Sequence, residues 1–95
     1  MMKAKITIQY CTKCRWLLRS AWMAQELLTT FEQDIAELSL QPGRGGVFDV
    51  WVNDKLLWSR KEKGRFPEIT ELKQVVRDEI APDKSLGHSD RKPVT

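Results

Sequence analysis

The chain is 95 residues long and 41% hydrophobic, with 16 basic and 13 acidic side chains giving a net charge of +3. That length builds one core without room for a second, and the apolar share, with four tryptophans, excludes a disordered chain. The charge is mild and scattered with no Lys/Arg stripe, and no apolar run approaches a membrane span, so neither nucleic acid nor a membrane is an expected partner.

The first residues lack the charged start, apolar centre and cleavage site of a signal peptide, which points to a cytoplasmic location. Residues 3–10 alternate, with Ala4, Ile6, Ile8 and Tyr10 on one face, and predict a first strand. Directly after it come Cys11 and Cys14, the chain's two cysteines. A strand that delivers Cys-x-x-Cys to the first turn of a helix is the arrangement of a redox dithiol. In a reducing compartment a lone pair is seldom a structural staple, which favours a cycling pair over a permanent disulfide. Two alternatives stay open: inert cysteines, and a zinc site shared between two chains. A closed zinc site within one chain wants four N or S ligands, whereas this chain offers two Cys and His88, so no metal or other cofactor is expected.

Residues 15–31 contain no Gly or Pro and predict a long helix, with the Thr12 hydroxyl as its cap. Leu17, Ala21, Ala24, Leu28 and Phe31 fall along one face, which Cys14 shares. Cys14 is therefore expected to point inward and Cys11 to stand exposed at the helix tip. Trp16, Leu18, Trp22, Met23 and Leu27 widen the apolar arc. Trp16 and Trp22 are candidates for a partner surface beside the dithiol, with a broad core contact as the alternative.

Residues 34–41 alternate again, with Ala36, Leu38 and Leu40 inward, and a helix between two such strands implies a right-handed crossover with parallel pairing. Pro42-Gly43-Arg44-Gly45-Gly46 then breaks the chain. It lacks the Lys-Ser/Thr of a P-loop; its glycines, Gly45 and Gly46 in particular, suit a backbone passing close to the dithiol. Residues 47–53 and 55–59 form a hairpin turning at Asn53-Asp54. Residues 60–65 read as a surface loop. Pro67 opens a second helix in which Glu68 and Glu71 favour the positive end, Ile69, Leu72, Val76 and Ile80 form the buried stripe, and Pro82 is the stop. Residues 83–95 are polar and predict a frayed tail, so the domain is assigned to residues 1–82 and the tail to 83–95. The expected fold is α/β and thioredoxin-like: β-α-β-β-β-α, a four-stranded mixed sheet and two main helices, with the first strand central and Cys11 at its carboxyl end.

Exchange needs a thiolate, and an unperturbed cysteine with a pKa of about 8.5 is mostly protonated at neutral pH. The helix start and the charges of Lys13 and Arg15 are candidates to favour the thiolate, against the plainer reading of a solvated turn. Tyr10 and Thr12 complete the immediate surroundings. Access makes Cys11 the expected attacker and Cys14 the resolver, with a protein thiol or disulfide, or glutathione, as partner. A redox-responsive interaction module without turnover is the alternative function. His88-Ser89-Asp90 holds the residue types of a hydrolytic triad, but neighbours in sequence cannot adopt triad geometry. His88 as a proton acceptor near the thiols competes with a solvated tail histidine.

Several stretches together resemble the selenoprotein W-like proteins, also called the Rdx or selenoprotein T/W/H family, and its bacterial members most closely. They are Tyr10-Cys11-Thr12-Lys13-Cys14, Trp16-Leu17-Leu18-Arg19, residues 22–28, Pro42-Gly43-Arg44-Gly45-Gly46-Val47-Phe48, Val52-Asn53-Asp54-Lys55-Leu56, Phe66-Pro67-Glu68 and Leu86-Gly87-His88-Ser89-Asp90. The resemblance implies a thioredoxin-like fold and a thiol-based redox role, and supplies no substrate. Vertebrate members carry selenocysteine at the position of Cys14, which implies attack there and opposes the assignment drawn from access. Gly45-Gly46 stand where thioredoxins proper place a cis-proline.

Overall fold

The computed structural model describes residues 3–90. Its elements are β1 (Ala4–Cys11), α1 (Leu17–Thr30), β2 (Ile35–Gly43), β3 (Phe48–Val52), β4 (Lys55–Ser59), α2 (Arg60–Lys63), α3 (Ile69–Ile80) and a 3-10 turn, Gly87–Asp90. The sheet order is β2-β1-β3-β4, with β1 and β2 parallel and the other pairs antiparallel. This is the expected thioredoxin-like frame with β1 central. The expected surface loop at 60–65 is instead largely α2, closed by Gly64 in the left-handed region at φ 77°.

The core follows from strand alternation. Ile6 and Ile8 on β1, Val50 and Val52 on β3, and Phe48 share a face on which Met23, Leu27 and Phe31 from the α1 side and Leu72 and Val76 from α3 are buried. α3 buries the stripe foreseen from its periodicity. Pro67 lies just ahead of it, and a capping box joins Glu68 and Glu71, the Glu68 N–H donating to Glu71 Oε1 at 3.3 Å. Arg65 forks onto both oxygens of Glu71 at 2.8 Å, and this bond, before the Glu68 amide, holds the Glu71 carboxyl below its usual range. The hairpin turns at Asn53 with φ 53°, as its residue type allows.

α1 starts later and is rotated from expectation. Arg15 adopts φ 62°, a left-handed conformation that cannot continue a right-handed helix, so α1 begins at Leu17 and the Thr12 hydroxyl does not cap it. The buried face is Ser20, Met23, Ala24 and Leu27, while Leu17 is 47% and Leu28 41% exposed. The two stripes share Ala24 and Phe31. The chain buries Met23 and Leu27 in place of Leu17 and Leu28, and the buried Ser20 hydroxyl has no hydrogen-bond partner among the described residues.

β2 departs from simple alternation at one residue. Ala4 pairs with Ile35 but Lys5 with Glu37, so Ala36 is the extra residue of a bulge; Ile35 is buried and Ala36 exposed, while Leu38 and Leu40 pack on the core as foreseen. The strand runs on through Pro42, tolerated because β2 is an edge, to Gly43 opposite Cys11. A side-chain carbon at Gly43 would begin 2.7 Å from Val47 Cγ1 and 3.2 Å from Gln9 Cγ.

Residues 84–90 are tied down rather than frayed. Arg77 Nη1 lies 2.8 Å from Asp90 Oδ1 and donates to the Lys84 carbonyl at 2.9 Å, and the Leu86 N–H donates to Asp90 Oδ2 at 2.7 Å. Leu86 packs against the core, and Lys84 reaches Asp34 at 3.3 Å. Residues 91–95 of the expected tail lie outside the described residues, as do the His88 and Ser89 side chains, and with them the proton-acceptor reading of His88.

Two outcomes are expected. The Leu86 N–H, and after it Arg77, hold the Asp90 carboxyl below its usual value, so its charged form stabilises the fold above the unfolded carboxylate pKa of about 3.9 and that contribution is lost as pH falls through the lower folded value. Thermal melts should find Asp90→Asn less stable than the parent near neutral pH, with the gap closing at acid pH. Gly43→Ala should destabilise by about 1–3 kcal/mol through overpacking. In denaturant titrations part of that loss should be recovered in Gly43→Ala/Val47→Ala, a coupling that independent sites would not show.

Candidate functional site

Cys11 is the last residue of β1, and Cys14 lies in the turn that follows. They are joined by a disulfide with Cα atoms 5.3 Å apart. Cys11 is 2% exposed and Cys14 is half-buried, the reverse of the expected order of access. The cause is where each element ends. β1 continues through Cys11 because Cys11 pairs with Gly43 in the parallel ladder, and α1 begins three residues after Cys14. Cys14 therefore sits on a surface turn and not on the inward face of a helix.

The turn is held from both ends. The Thr12 N–H and hydroxyl both donate to the Gly43 carbonyl, at 3.2 and 3.3 Å. The Arg15 N–H donates to the Thr12 carbonyl at 3.1 Å, and the Trp16 N–H reaches the Cys11 carbonyl at 3.5 Å. Thr12 is thus a clasp between strand ends. Of the glycines expected to bring backbone close to the dithiol, Gly43, rather than Gly45 or Gly46, makes the hydrogen-bonded contact, because a strand parallel to β1 ends beside the cysteine that ends β1.

Of the two neighbouring glycines, Gly45 at φ 69° lines an open cleft of about 450 Å³ with Thr12, Lys13 and Arg44. Gly46, at φ 76°, faces open space. A second cleft of about 330 Å³ lies between Tyr10, Thr12, Arg15, Leu17 and Leu18. Tyr10 itself is buried, with Pro42 and Phe48 as its register partners. Lys13 and Arg15 are exposed on either side of Cys14 in the chain.

Trp16 and Trp22 have different surroundings. Trp16 is half-buried, its ring edge-on to Phe66 at 4.8 Å, and Phe66 is edge-on to Phe48 at 5.0 Å. The Arg60 guanidinium lies 4.9 Å from the Trp16 ring centre and 5.1 Å from that of Phe66, with Arg19 4.2 Å from Phe66. Trp22 is 48% and Leu18 84% exposed on the outer side of α1. Among the described residues no group of three or more His, Cys, Asp or Glu is arranged to hold a metal, and no helix is long and apolar enough to cross a membrane.

The same frame occurs in known structures. A crystal structure of a Bordetella parapertussis protein is 56% identical with a TM-score of 0.81, covering 83% of this chain and 100% of that one. A selenoprotein W-related protein from Vibrio cholerae is 50% identical with a TM-score of 0.80, over 82% of this chain and 98% of its own. No curated protein gives a significant match. The model of the Rdx family matches residues 5–78, from β1 to near the end of α3 with the cysteine turn and every strand between, and the chain belongs to the Rdx family.

Proposed function

We propose that the protein is a thiol-disulfide redox protein whose Cys11/Cys14 pair exchanges two electrons with a partner thiol or disulfide. The observation that carries this reading is the bridged pair itself: two cysteines 5.3 Å apart at the carboxyl end of the central strand, one buried and one reachable. In the reduced protein the Cys14 thiolate attacks one sulfur of a protein or glutathione disulfide, and the other partner sulfur leaves as a thiol. Cys11, held behind it at the strand end, then attacks the Cys14 sulfur. The second partner thiol is released, the partner has gained two electrons and two protons, and Cys11 and Cys14 end as a disulfide. A thiol reductant reverses the last state, which suits a reducing, cytoplasmic setting.

This order of attack follows access and replaces the one expected from sequence. Lys13 and Arg15, exposed next to Cys14 in the chain, are the cations that this reading assigns to attracting an anionic partner group. The outer side of α1, with Leu17, Leu18 and Trp22 exposed just beyond the turn, supports a second reading, in which the oxidation state changes which protein docks without turnover. Multiple turnovers on a disulfide substrate with supplied reductant separate the two.

The cysteine roles are tested by single substitutions. Cys11→Ser should accumulate a mixed disulfide with glutathione, because Cys14 attacks and nothing resolves it, while Cys14→Ser should trap little. Mass spectrometry of the alkylated parent should find one intramolecular disulfide after mild oxidation. Trapping by Cys14→Ser alone would reverse the roles, and two thiols that stay fully alkylatable after oxidation would remove the redox reading.

A further inference from the structure

The charges that are scattered along the sequence converge in space around the dithiol turn. Lys13 and Arg44 line the cleft over Gly45, and the Lys61 ammonium lies 3.9 Å from where a Gly45 side chain would begin. Lys61 belongs to α2, whose preceding residue Arg60 is stacked on Trp16, so the same one-turn helix that packs against the turn presents a cation over the cleft. Among the described residues the ion pairs join Lys55 to Glu79, Arg65 to Glu71, Lys73 to Glu26, Arg77 to Asp78 and Asp90, and Lys84 to Asp34. None of these involves Lys13, Arg44 or Lys61. Asp34 and Glu79, by contrast, line a cleft with Ala4, at the opposite end of β1, and are paired there.

Three cations around one small opening repel each other, and an anionic group entering it relieves that repulsion while gaining attraction from all three. Among the described residues no carboxylate lines the opening. Resting on the redox reading above, we infer that the disulfide this site reduces is carried on an acidic protein segment, whose carboxylates occupy the cleft between the dithiol turn and Arg44-Gly45, beside Lys61. The partner is recognised by charge beside its cysteine. The chemistry is the exchange already written: the Cys14 thiolate forms a bond to the segment's cysteine sulfur, the partner's S–S bond breaks, its leaving sulfur carries the electron pair away, and Cys11 then frees the segment as a thiol. Cations beside the turn also oppose the negative charge that builds on the leaving sulfur.

The test uses the reduced full chain and three peptides of one design, each with a single cysteine in mixed disulfide with thionitrobenzoate and flanked by Glu, Gln or Lys. Release of coloured thionitrobenzoate reports the attack. At low ionic strength the Glu peptide should react roughly tenfold or more faster than the Lys peptide, within the range expected of electrostatic steering. The ratio should shrink as salt shortens the screening length from about 30 Å at 0.01 M to about 8 Å at 0.15 M. Arg44→Glu/Lys61→Glu, at two exposed positions, should bring the ratio to one or invert it. Equal rates on all three peptides, or a Glu preference that survives the double substitution, overturns the inference and leaves the dithiol chemistry standing. Absence of release from every peptide overturns both.

Discussion

The Gly43 carbonyl accepts from the Thr12 amide and hydroxyl, and Gly43 itself stands opposite Cys11 in the parallel ladder. This junction fixes where β1 stops. Because β2 lasts to Gly43, β1 lasts to Cys11, and the first cysteine is committed to the sheet while the second is free to lie on the turn. The parallel pairing depends in turn on the α1 crossover, and the close approach depends on a residue without a side chain at position 43. The burial of Cys11, the exposure of Cys14 and the shape of the cleft over Gly45 all descend from this one strand end.

The turn is supported from its other side by an aromatic and cationic stack. Phe48 opens β3 opposite Tyr10, Phe66 packs on Phe48, Trp16 packs on Phe66, and Arg60 lies over the last two. Residues from four separate parts of the chain thus meet in one stack that includes Trp16, two residues after Cys14. The buried Arg60 Nε has no hydrogen-bond partner among the described residues, and the ring contacts are what its guanidinium gains in place of water. Its neighbour Lys61 extends from the same short helix toward Gly45, so a packing contact and a local positive charge share one element.

Elements specified by their own periodicity were legible in the sequence: the alternation of β1, the Asn53 hairpin and the Leu72/Val76 stripe of α3. What needed partners from elsewhere was not. α1 is apolar around most of its circumference, so 3.6-residue spacing admits two stripes, and only the sheet beneath it selects Met23 and Leu27 over Leu17 and Leu28. The left-handed Arg15 is not foreshadowed by its residue type, and it separates the cysteines from the helix to which spacing assigned them. The Ala36 bulge is a property of two strands together. Residues 84–90 look polar and mobile in isolation; they order because Arg77, on another element, and the Leu86 amide share one carboxylate. At the site, both cysteines were identifiable from spacing, whereas their relative exposure and the part played by Gly43 required the pairing of β1 with β2.

The bridge between Cys11 and Cys14 spans a sequence separation of three, so it closes one of the smallest loops a disulfide can close. In chain-entropy terms such a bridge restrains the unfolded polypeptide by only about 2 kcal/mol, less than half of what a hundred-residue loop would give. Coupling is reciprocal: whatever the bridge adds to the stability of the fold, the fold adds to the persistence of the bridge. For the proposed redox cycle this sets the scale of the linkage: reducing the turn would cost the fold about 2 kcal/mol rather than the larger penalty of opening a long cross-link.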